Sequence, residues 1–270
     1  SNIKKSLENF LKSYNFWGTL DEANEDFDIF KKKAQIFKEK REDFVWLYDS
    51  LKDYKSKTVL LSILNNYYNF DLNGLNLVAD KIYKHYFDLD LLSFCKNEVF
   101  VDVGAYTGDT VLDYIASYGM SYNKIYCYEI TESMVLYMKN NFSNLPNVEI
   151  RNLAVAERVG KLYLDANSTS ASANRVKEAG VDAVNAVSLD EDIKEKISMI
   201  KMDIEGGEIS AIKGVKEHIK NDLPKLFISV YHSNDDIITI PKLIQSYTDK
   251  YDFYLRYYGC LLYTSPSPRD

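Results

Sequence analysis

Acidic residues and one histidine stand directly after short apolar runs in this chain. Asp102 follows "VFV", Glu129 follows "KIYCY", Asp203 follows "SMIKM" and His232 follows "KLFISVY". Each run has the length and the β-branched or aromatic content of a buried strand. Because the carboxyl ends of parallel strands meet at one edge of a sheet, where ligands bind, we expect these four side chains to gather at one site.

The stretch "VFVDVGAYTGDT" runs from a predicted strand into a glycine-containing turn that opens a helix. Gly104 and Gly108 allow a tight turn and close backbone approach. The Gly-x-Gly-x-x-Gly pattern of dinucleotide sites and the Gly-Lys-Ser/Thr ending of a Walker loop are both absent. Asp102 and Asp109 at the edges of the turn disfavour a pyrophosphate and favour a cofactor with positive charge, such as an amino group or a sulfonium. The alternative is that the two glycines serve only the backbone geometry of the turn, which then binds no cofactor.

Glu129 strengthens the case for a cofactor. It lies at the end of the second predicted strand, where an acid can accept hydrogen bonds from both hydroxyls of a ribose. The alternative is an exposed strand-end acid without a ligand. Together the glycine turn and Glu129 resemble the cofactor site of class I S-adenosylmethionine-dependent methyltransferases.

Downstream segments narrow this resemblance to the FkbM family. They occur in the family's order and at its spacing: "VDVGAYTGDT", "YCYEIT", "NVEIRNLAVAERVGKLYL", "VSLDE" and "IKMDIEGGEISAIKGV". The most specific piece runs from Lys201 to Glu208, and the match covers roughly residues 98–232. The resemblance implies a cytoplasmic O-methyltransferase that uses S-adenosylmethionine and acts on a hydroxyl of a sugar, a polysaccharide precursor or a related natural product.

The resemblance also carries the family's cofactor pattern onto this chain. It implies that the glycine turn contacts the methionine end, Glu129 the ribose and the Asn152–Ala154 turn the adenine. The implied cofactor-binding residues are Asp102, Gly104, Ala105, Tyr106, Gly108, Asp109, Glu129, Asn152 and Ala154. Tyr106 either packs over the cofactor or faces solvent.

A sugar hydroxyl is a poor nucleophile at neutral pH, so we expect a base within hydrogen-bond reach. The candidates are Asp203, Glu205 and His232. Asp203 could instead orient the cofactor's amino group or the loop, and His232 could be structural. Glu208 falls in the first turn of a predicted helix, where the helix dipole favours an acid. The three candidates could also bind a divalent ion, but their spacing does not require one, and we predict no metal site.

From Glu98 onward, β-type runs alternate with helical ones, which predicts an α/β fold. We expect a doubly wound, mostly parallel, Rossmann-like methyltransferase sheet with helices on both faces, preceded by a helical N-terminal region. The predicted helices are Gly108 to about Ser117, one starting near Thr131, Gly207–Ile219 and about Ile237–Ser246. Ser188 and Glu191 form a capping pair for a short helix. The segment "YDFYLRYY" is expected to be the last strand.

We divide the chain into a helical region, residues 1–95, a methyltransferase domain, residues 96–259, and a tail, residues 260–270. The first region reads as a cap or a dimerisation element, with a helix broken at Gly74. A sharper reading is that its aromatic residues Tyr83, Tyr86 or Phe87 cover the active site.

The tail "CLLYTSPSPRD" resembles a translated sequencing adapter. We therefore expect the native sequence to be represented as far as about Gly259, so that the domain is truncated before its last strand. The residues "LLYT" would then stand where that strand belongs.

The composition limits the partners. A formal net charge of −7 argues against broad binding to nucleic acids or anionic membranes. No apolar run approaches the roughly 18 residues of a membrane span, and three cysteines without paired or metal-type spacing suit a reducing cytoplasm. The expected partners are a glycan or small-molecule hydroxyl acceptor and, through the N-terminal helices, a second copy of the chain.

Two alternative functions stay open. One is a non-catalytic cofactor-binding or assembly module. The other is a Rossmann oxidoreductase, against which the missing third glycine counts.

Overall fold

The computed structural model describes residues 29–69, 71–93, 95–164, 176–177 and 183–259. These residues divide into two compact units. One comprises the described residues up to Asp80 together with those from Asp252 onward, and the other runs from Lys81 to Tyr251. Our predictions about residues 1–28 and about the tail, including "LLYT", lie outside the described residues.

The first unit is helical, as predicted. Its helices are α1 (Ile29–Glu39), α2 (Arg41–Ser50), α3 (Tyr54–Asn69) and α4 (Leu72–Val78). Apolar side chains of α2, α3 and α4 form its interior, including Phe44, Leu47, Val59, Leu60, Ile63 and Leu75. The predicted break does occur within "DLNGLN", but it lies at Asp71 and not at Gly74. Gly74 lies within α4, and its N–H donates to Oδ1 of Asp71 at 3.0 Å, because Asp71 is the N-cap of that helix.

The segment "YDFYLRYY" is not a strand of the sheet, contrary to our prediction. Within the described residues it forms a single isolated bridge, Phe253 with Leu51. Its backbone groups are bonded inside the helical unit instead, since the N–H of Leu255 donates to Ser56 Oγ at 2.8 Å and the carbonyl of Tyr257 accepts from Asp80 at 2.7 Å. β-type composition alone did not reveal these partners.

The second unit is built on a parallel five-stranded sheet. Its strands are β1 (Val99–Val103), β2 (Lys124–Tyr128), β3 (Val148–Arg151), β8 (Met199–Met202) and β9 (Lys225–Ile228), in the order β3-β2-β1-β8-β9. In β1, Val101 pairs with Tyr126 on one side and Ile200 on the other. Since β1 lies between β2 and β8, the strand order reverses there, and the crevice for a ligand is expected beside its carboxyl end.

A smaller mixed sheet accompanies the main one. It contains β4 (Ala154–Val155), β5 (Gly160–Leu164), β6 (Val176–Lys177) and β7 (Ala183–Val187), in the order β4-β7-β5-β6. The predicted capping residue Ser188 begins α7 (Leu189–Asp192), and its side chain accepts from the N–H of Glu191 at 3.3 Å.

Four of the other helices connect strands of the main sheet, and a fifth follows its last strand. They are α5 (Asp109–Tyr118), α6 (Glu132–Asn141), α8 (Glu208–Lys213), α9 (Lys216–Asn221) and α10 (Asp236–Tyr247). The single helix predicted over Gly207–Ile219 is therefore two helices. A Cβ on Gly214 would lie 2.0 Å from the carbonyl oxygen of Ala156, so the chain breaks where its backbone packs against the residue that follows β4.

The core of this unit includes Phe100 of β1, Ile125 of β2 and Met199 of β8. Phe87 packs in the same core, which is consistent with the unit beginning at Lys81. The division of the chain at residues 95 and 259 stays a prediction. None of the helices in the described ranges is long and apolar enough to span a membrane.

Candidate active site

The carboxyl ends of β1, β2 and β8 bring the predicted site residues to one edge of the main sheet. The glycine turn after β1 packs between its neighbours. The N–H groups of Gly104 and Ala105 both donate to the carbonyl of Tyr128 at 3.0 Å. A Cβ on Gly104, whose φ is +78°, would lie 2.0 Å from the carbonyl oxygen of Asp203. Gly104 is therefore required for the close approach of the turn to β8.

Gly108 has a different role. It caps the N-terminus of α5 with φ +79°, and a Cβ there would lie 2.2 Å from the ring of Phe142. This glycine thus allows α5 to pack against the end of α6. The next residue, Asp109, is the first of α5, and its carboxyl group lies at the positive end of the helix dipole.

Glu129 ties the glycine turn to the end of β2. Its Oε2 accepts from the N–H of Tyr106 at 2.9 Å, and its Oε1 accepts from the N–H of Thr131 at 2.8 Å. Tyr106 is held in the left-handed region with φ +47°. The carboxylate is largely buried, so it is a fixed part of the loop and not a freely moving surface acid.

The adjoining turn is fixed to the same strand end. Asn152 Nδ2 donates to the carbonyls of Glu129 and Ile130, at 2.9 and 3.0 Å. Ala154 is buried in β4, where it pairs with Ala186. Asn152 therefore joins the ends of β2 and β3 on the side where adenine binding is predicted.

Asp102 is completely buried and forms an ion pair with Lys201. Lys201 Nζ lies 3.0 Å from Asp102 Oδ1 and donates to the carbonyl of Gly104 at 2.7 Å. Burial lowers the pKa of Lys201, but the carboxylates of Asp102 and Asp203 outweigh it and raise that pKa, so the ammonium group stays charged. The pair lies beneath the glycine turn and holds it to β8.

Asp203, at the end of β8, is held by two phenol groups. Tyr86 donates to Oδ2 at 3.0 Å and Tyr231 donates to Oδ1 at 2.8 Å. Burial raises the pKa of Asp203, but Lys201, His232 and the two hydroxyls outweigh it and lower that pKa. Asp203 is therefore an ionised carboxylate with a defined orientation.

The segment before the sheet thus reaches the site through Tyr86. This residue has φ +70°, and its ring stacks on that of His85 with centroids 4.0 Å apart. The other two aromatic residues singled out from the sequence point elsewhere. Phe87 is buried in the core, and the hydroxyl of Tyr83 donates to Asp90 Oδ1 at 2.8 Å.

His232 lies among three carboxylates. Nε2 is 3.5 Å from both Asp203 Oδ1 and Glu205 Oε2, and Nδ1 is 3.1 Å from Glu208 Oε1. Burial lowers the pKa of His232, but Glu205, Glu208 and Asp203 outweigh it and raise the pKa to about 10. In the protein as described, the imidazole therefore carries a proton at neutral pH, which is the wrong state for a general base.

Glu208 fixes the loop between β8 and α8. Its Oε1 accepts from the N–H of Ile204 at 2.8 Å and its Oε2 from that of Gly206 at 3.0 Å. Glu205 and Gly206 both have positive φ, +55° and +102°. Glu208 thus stabilises a strained loop besides standing at a helix N-terminus, which was the role expected from its position.

Sequence reasoning identified the strand-end residues but missed most of their supports. Lys201, Tyr231 and Glu208 had no assigned function in the site, and Tyr86 was one of three aromatic alternatives. A charged residue within the apolar run "SMIKM" is the signal that could have revealed Lys201, because a lysine in a buried strand needs a partner. The sequence holds no comparable signal for the two tyrosines.

Comparisons with known proteins agree with this architecture. Methyltransferase FkbM from Methylobacillus flagellatus KT is similar over 93% of this chain and 62% of that chain, with a TM-score of 0.76 and 22% sequence identity. At this identity the likeness shows the fold. The selenomethionine-substituted CurJ carbon methyltransferase aligns over 87% of this chain and 62% of that chain, but with a TM-score of 0.33 and 10% identity it supports no argument. This chain spans about three fifths of each of these two proteins.

No curated protein matches the chain. The model of the methyltransferase FkbM domain matches residues 102–259, which is more than half of the sequence and includes every predicted cofactor-binding residue and all three base candidates. The chain therefore belongs to the FkbM family of methyltransferases.

Proposed function

We propose that this protein transfers a methyl group from S-adenosylmethionine to a hydroxyl of a sugar, a polysaccharide precursor or a related natural product. The observation that carries the proposal is the link between Glu129 and the N–H of Tyr106. This hydrogen bond joins Glu129, at the end of β2, to the glycine turn that follows β1. The two together form a continuous surface at the point where the strand order reverses.

The residues present fit this cofactor. Each oxygen of Glu129 holds one backbone N–H and keeps a further lone pair, so the carboxylate can still accept the hydroxyls of a ribose. The ionised Asp203 lies beside the turn and suits a ligand that carries positive charge. Asp102 is enclosed, so its contribution is to hold Lys201 and, through it, the carbonyl of Gly104.

When bound, S-adenosylmethionine supplies a methyl group already activated on a sulfonium. The protein mainly has to orient the acceptor in line with that methyl group and to exclude water. The rigid glycine turn and the doubly hydrogen-bonded Asp203 are suited to this positioning, because neither depends on a mobile side chain.

On the acceptor side, we assign the hydroxyl contact to Asp203. Its side chain is 24% exposed, whereas that of His232 is 1% exposed, and its lowered pKa keeps it ionised. It would accept a hydrogen bond from the acceptor hydroxyl and then the proton that this oxygen loses when the methyl group passes to it from the sulfonium. His232 and Glu205 act behind it, by stabilising its charge and holding its orientation.

Calorimetry with the full chain and S-adenosylmethionine tests the cofactor site. We expect binding by the unmodified protein and a loss of at least about tenfold in affinity for Glu129→Ala, since both a ribose contact and the support of Tyr106 disappear. Glu132→Ala is the matched control, because Glu132 is an exposed acid in the first turn of α6 and its removal should leave binding unchanged. Absence of binding by the unmodified protein would refute the proposal.

Transfer of a labelled methyl group to a panel of oligosaccharides tests the reaction. We expect Asp203→Asn to lose transfer even at cofactor concentrations that saturate the variant, since the amide cannot accept the proton. The competing assignment, a non-catalytic cofactor-binding module, predicts binding without transfer to any acceptor and indifference to both Asp203→Asn and His232→Ala.

A further inference from the structure

Three side chains at the edge of the main sheet converge on a small volume. Asp203, Glu208 and His232 each offer a ligand atom, and these atoms all lie within 4.8 Å of one another. Glu205 adds a fourth group, with Oε2 at 3.5 Å from His232 Nε2. Asp203, Glu205 and Glu208 come from one short segment between the end of β8 and the start of α8, and the fold adds His232 from the segment after β9.

His232 supplies the buried ring nitrogens of this cluster. Its side chain is 1% exposed, and within the described part of the chain neither Nδ1 nor Nε2 has a hydrogen-bond partner of acceptable geometry. Buried imidazole nitrogens normally have such partners. Here both face carboxylate oxygens at ion-pair distances, and a cation bound to one ring nitrogen would take the place of the proton that this nitrogen otherwise carries.

The charges of the cluster do not balance. Three carboxylates, those of Asp203, Glu205 and Glu208, face one imidazole. Even a protonated His232 leaves two negative charges in excess. The nearby cation Lys201 is paired with Asp102. Because burying uncompensated charge is costly, a bound divalent ion would stabilise this arrangement.

We propose that Asp203, Glu208 and His232 ligate a divalent cation, with Glu205 beside the same imidazole. Neighbouring ligands of one tetrahedral Zn²⁺ lie about 3.4 Å apart at bond lengths near 2.1 Å, so ligand atoms that are within 4.8 Å of one another would have to approach by up to about 1.4 Å. A mixed carboxylate and imidazole set suits Mn²⁺ or Zn²⁺ better than Mg²⁺.

The ligands are already oriented for this role. Tyr86 and Tyr231 donate to Asp203, and the N–H groups of Ile204 and Gly206 donate to Glu208. Each carboxylate still has lone pairs with which to bind an ion. Hydrogen bonds of this kind hold the ligating oxygens in place in metal sites. The consequence for catalysis rests on the proposed function: a cation beside Asp203 would bind the acceptor hydroxyl and acidify it.

Calorimetry with MnCl₂ and ZnCl₂ on the chelator-treated full chain, without S-adenosylmethionine or acceptor, tests the site. We expect saturable binding, weakened at least about tenfold by Asp203→Asn and by His232→Gln. His218→Gln is the matched control, since His218 belongs to a separate pair with Asp222, and it should bind as the unmodified protein does. No saturable binding, or equal binding by all the variants, would overturn the proposal.

A second measurement keeps the test independent of whether the variants fold. The chain has three histidines, so histidine-selective NMR of the unmodified protein can follow each ring. Added Zn²⁺ should shift a ring nitrogen of His232 and leave those of His218 in place; unchanged His232 resonances at saturating Zn²⁺ would contradict the proposal. Cofactor binding is measured in a separate experiment without metal. A failure to bind metal would therefore refute the metal site and not the proposed methyl transfer, and a failure to bind S-adenosylmethionine would refute the proposed function and not the metal site.

Discussion

Lys201 is a charged residue in the interior of the main sheet, and its ammonium group has two partners. It neutralises the enclosed carboxylate of Asp102 and donates to the carbonyl of Gly104. A buried ion pair is not in itself strong evidence for stability, but removal of one partner leaves the other charge uncompensated. The pair therefore couples the stability of the sheet to the position of the glycine turn.

We expect Lys201→Met to lower the free energy of unfolding by about 3–5 kcal/mol, because Asp102 would remain buried without a countercharge. The double variant Asp102→Leu with Lys201→Met should recover most of the loss, since it replaces both charges by apolar groups. Urea unfolding measures both. A single variant as stable as the unmodified protein would show that Asp102 is not charged in the folded state.

At the residue scale, the sequence predicted which side chains stand at the ends of strands. It did not predict the side chains that donate hydrogen bonds to them. Glu129 and Asp203 follow apolar runs, so their convergence could be inferred from the topology of parallel sheets. Tyr86 reaches Asp203 from a segment far away in the sequence. No local pattern encodes that contact, because it depends on how the segment from Lys81 packs on the sheet.

At the scale of the elements, the junction between α8 and α9 shows how tertiary contacts override a helical pattern. Gly214 ends α8, and its carbonyl accepts from the N–H of Asp190 at 3.0 Å. The carboxylate of Asp190 accepts from the N–H groups of Glu217 and His218, at 3.0 and 3.1 Å, and so caps α9. The periodicity of residues 207–219 alone predicts one helix, since it carries no information about Asp190 or Ala156.

We expect Gly214→Ala to destabilise the protein by about 1–3 kcal/mol, because the new methyl group would lie 2.0 Å from the carbonyl oxygen of Ala156 and the backbone would have to move. Gly160→Ala is the matched control, since a Cβ there has no atom within 4 Å. Thermal or urea unfolding compares the two. Equal stabilities would mean that the contact between Gly214 and Ala156 is not tight in solution.

At the scale of the whole molecule, the sequence predicted most of the order of strands and helices between Val99 and Tyr247, but it did not predict β6, the separation of β3 from β4 or the division of the helix at Gly214. It did not predict that the segment from Asp252 returns to the helical unit. The sequence "YDFYLRYY" has strand-like composition, but Arg256 gives it a charged partner in Asp53, with Nη2 at 2.6 Å from Oδ2. Neither composition nor periodicity predicts such a long-range ion pair.

This pair makes the helical unit sensitive to acid. Burial raises the pKa of Asp53, but hydrogen bonds from Arg256 and Ser56 outweigh it and lower the pKa from 3.8 to about 2. Since the folded-state pKa lies below the unfolded-state value, the ionised carboxylate stabilises the fold fully above about pH 4, and this contribution is lost as the pH falls toward 2.

We expect Asp53→Asn to lower the free energy of unfolding by about 1–2 kcal/mol at pH 7, after allowance for solvent screening. The difference in the free energy of unfolding between the variant and the unmodified protein should be about half as large at pH 3. At that pH the unmodified protein has itself lost about half of the stabilisation by the ionised Asp53 carboxylate. Asp252→Asn is the control. Asp252 pairs with Lys52 in the same unit, but this ion pair is exposed, so its loss should not measurably change the free energy of unfolding. Urea unfolding over this pH range checks the effect, and hydrogen exchange of α3 locates it; a difference that stays constant down to pH 3 would exclude a depressed pKa for Asp53.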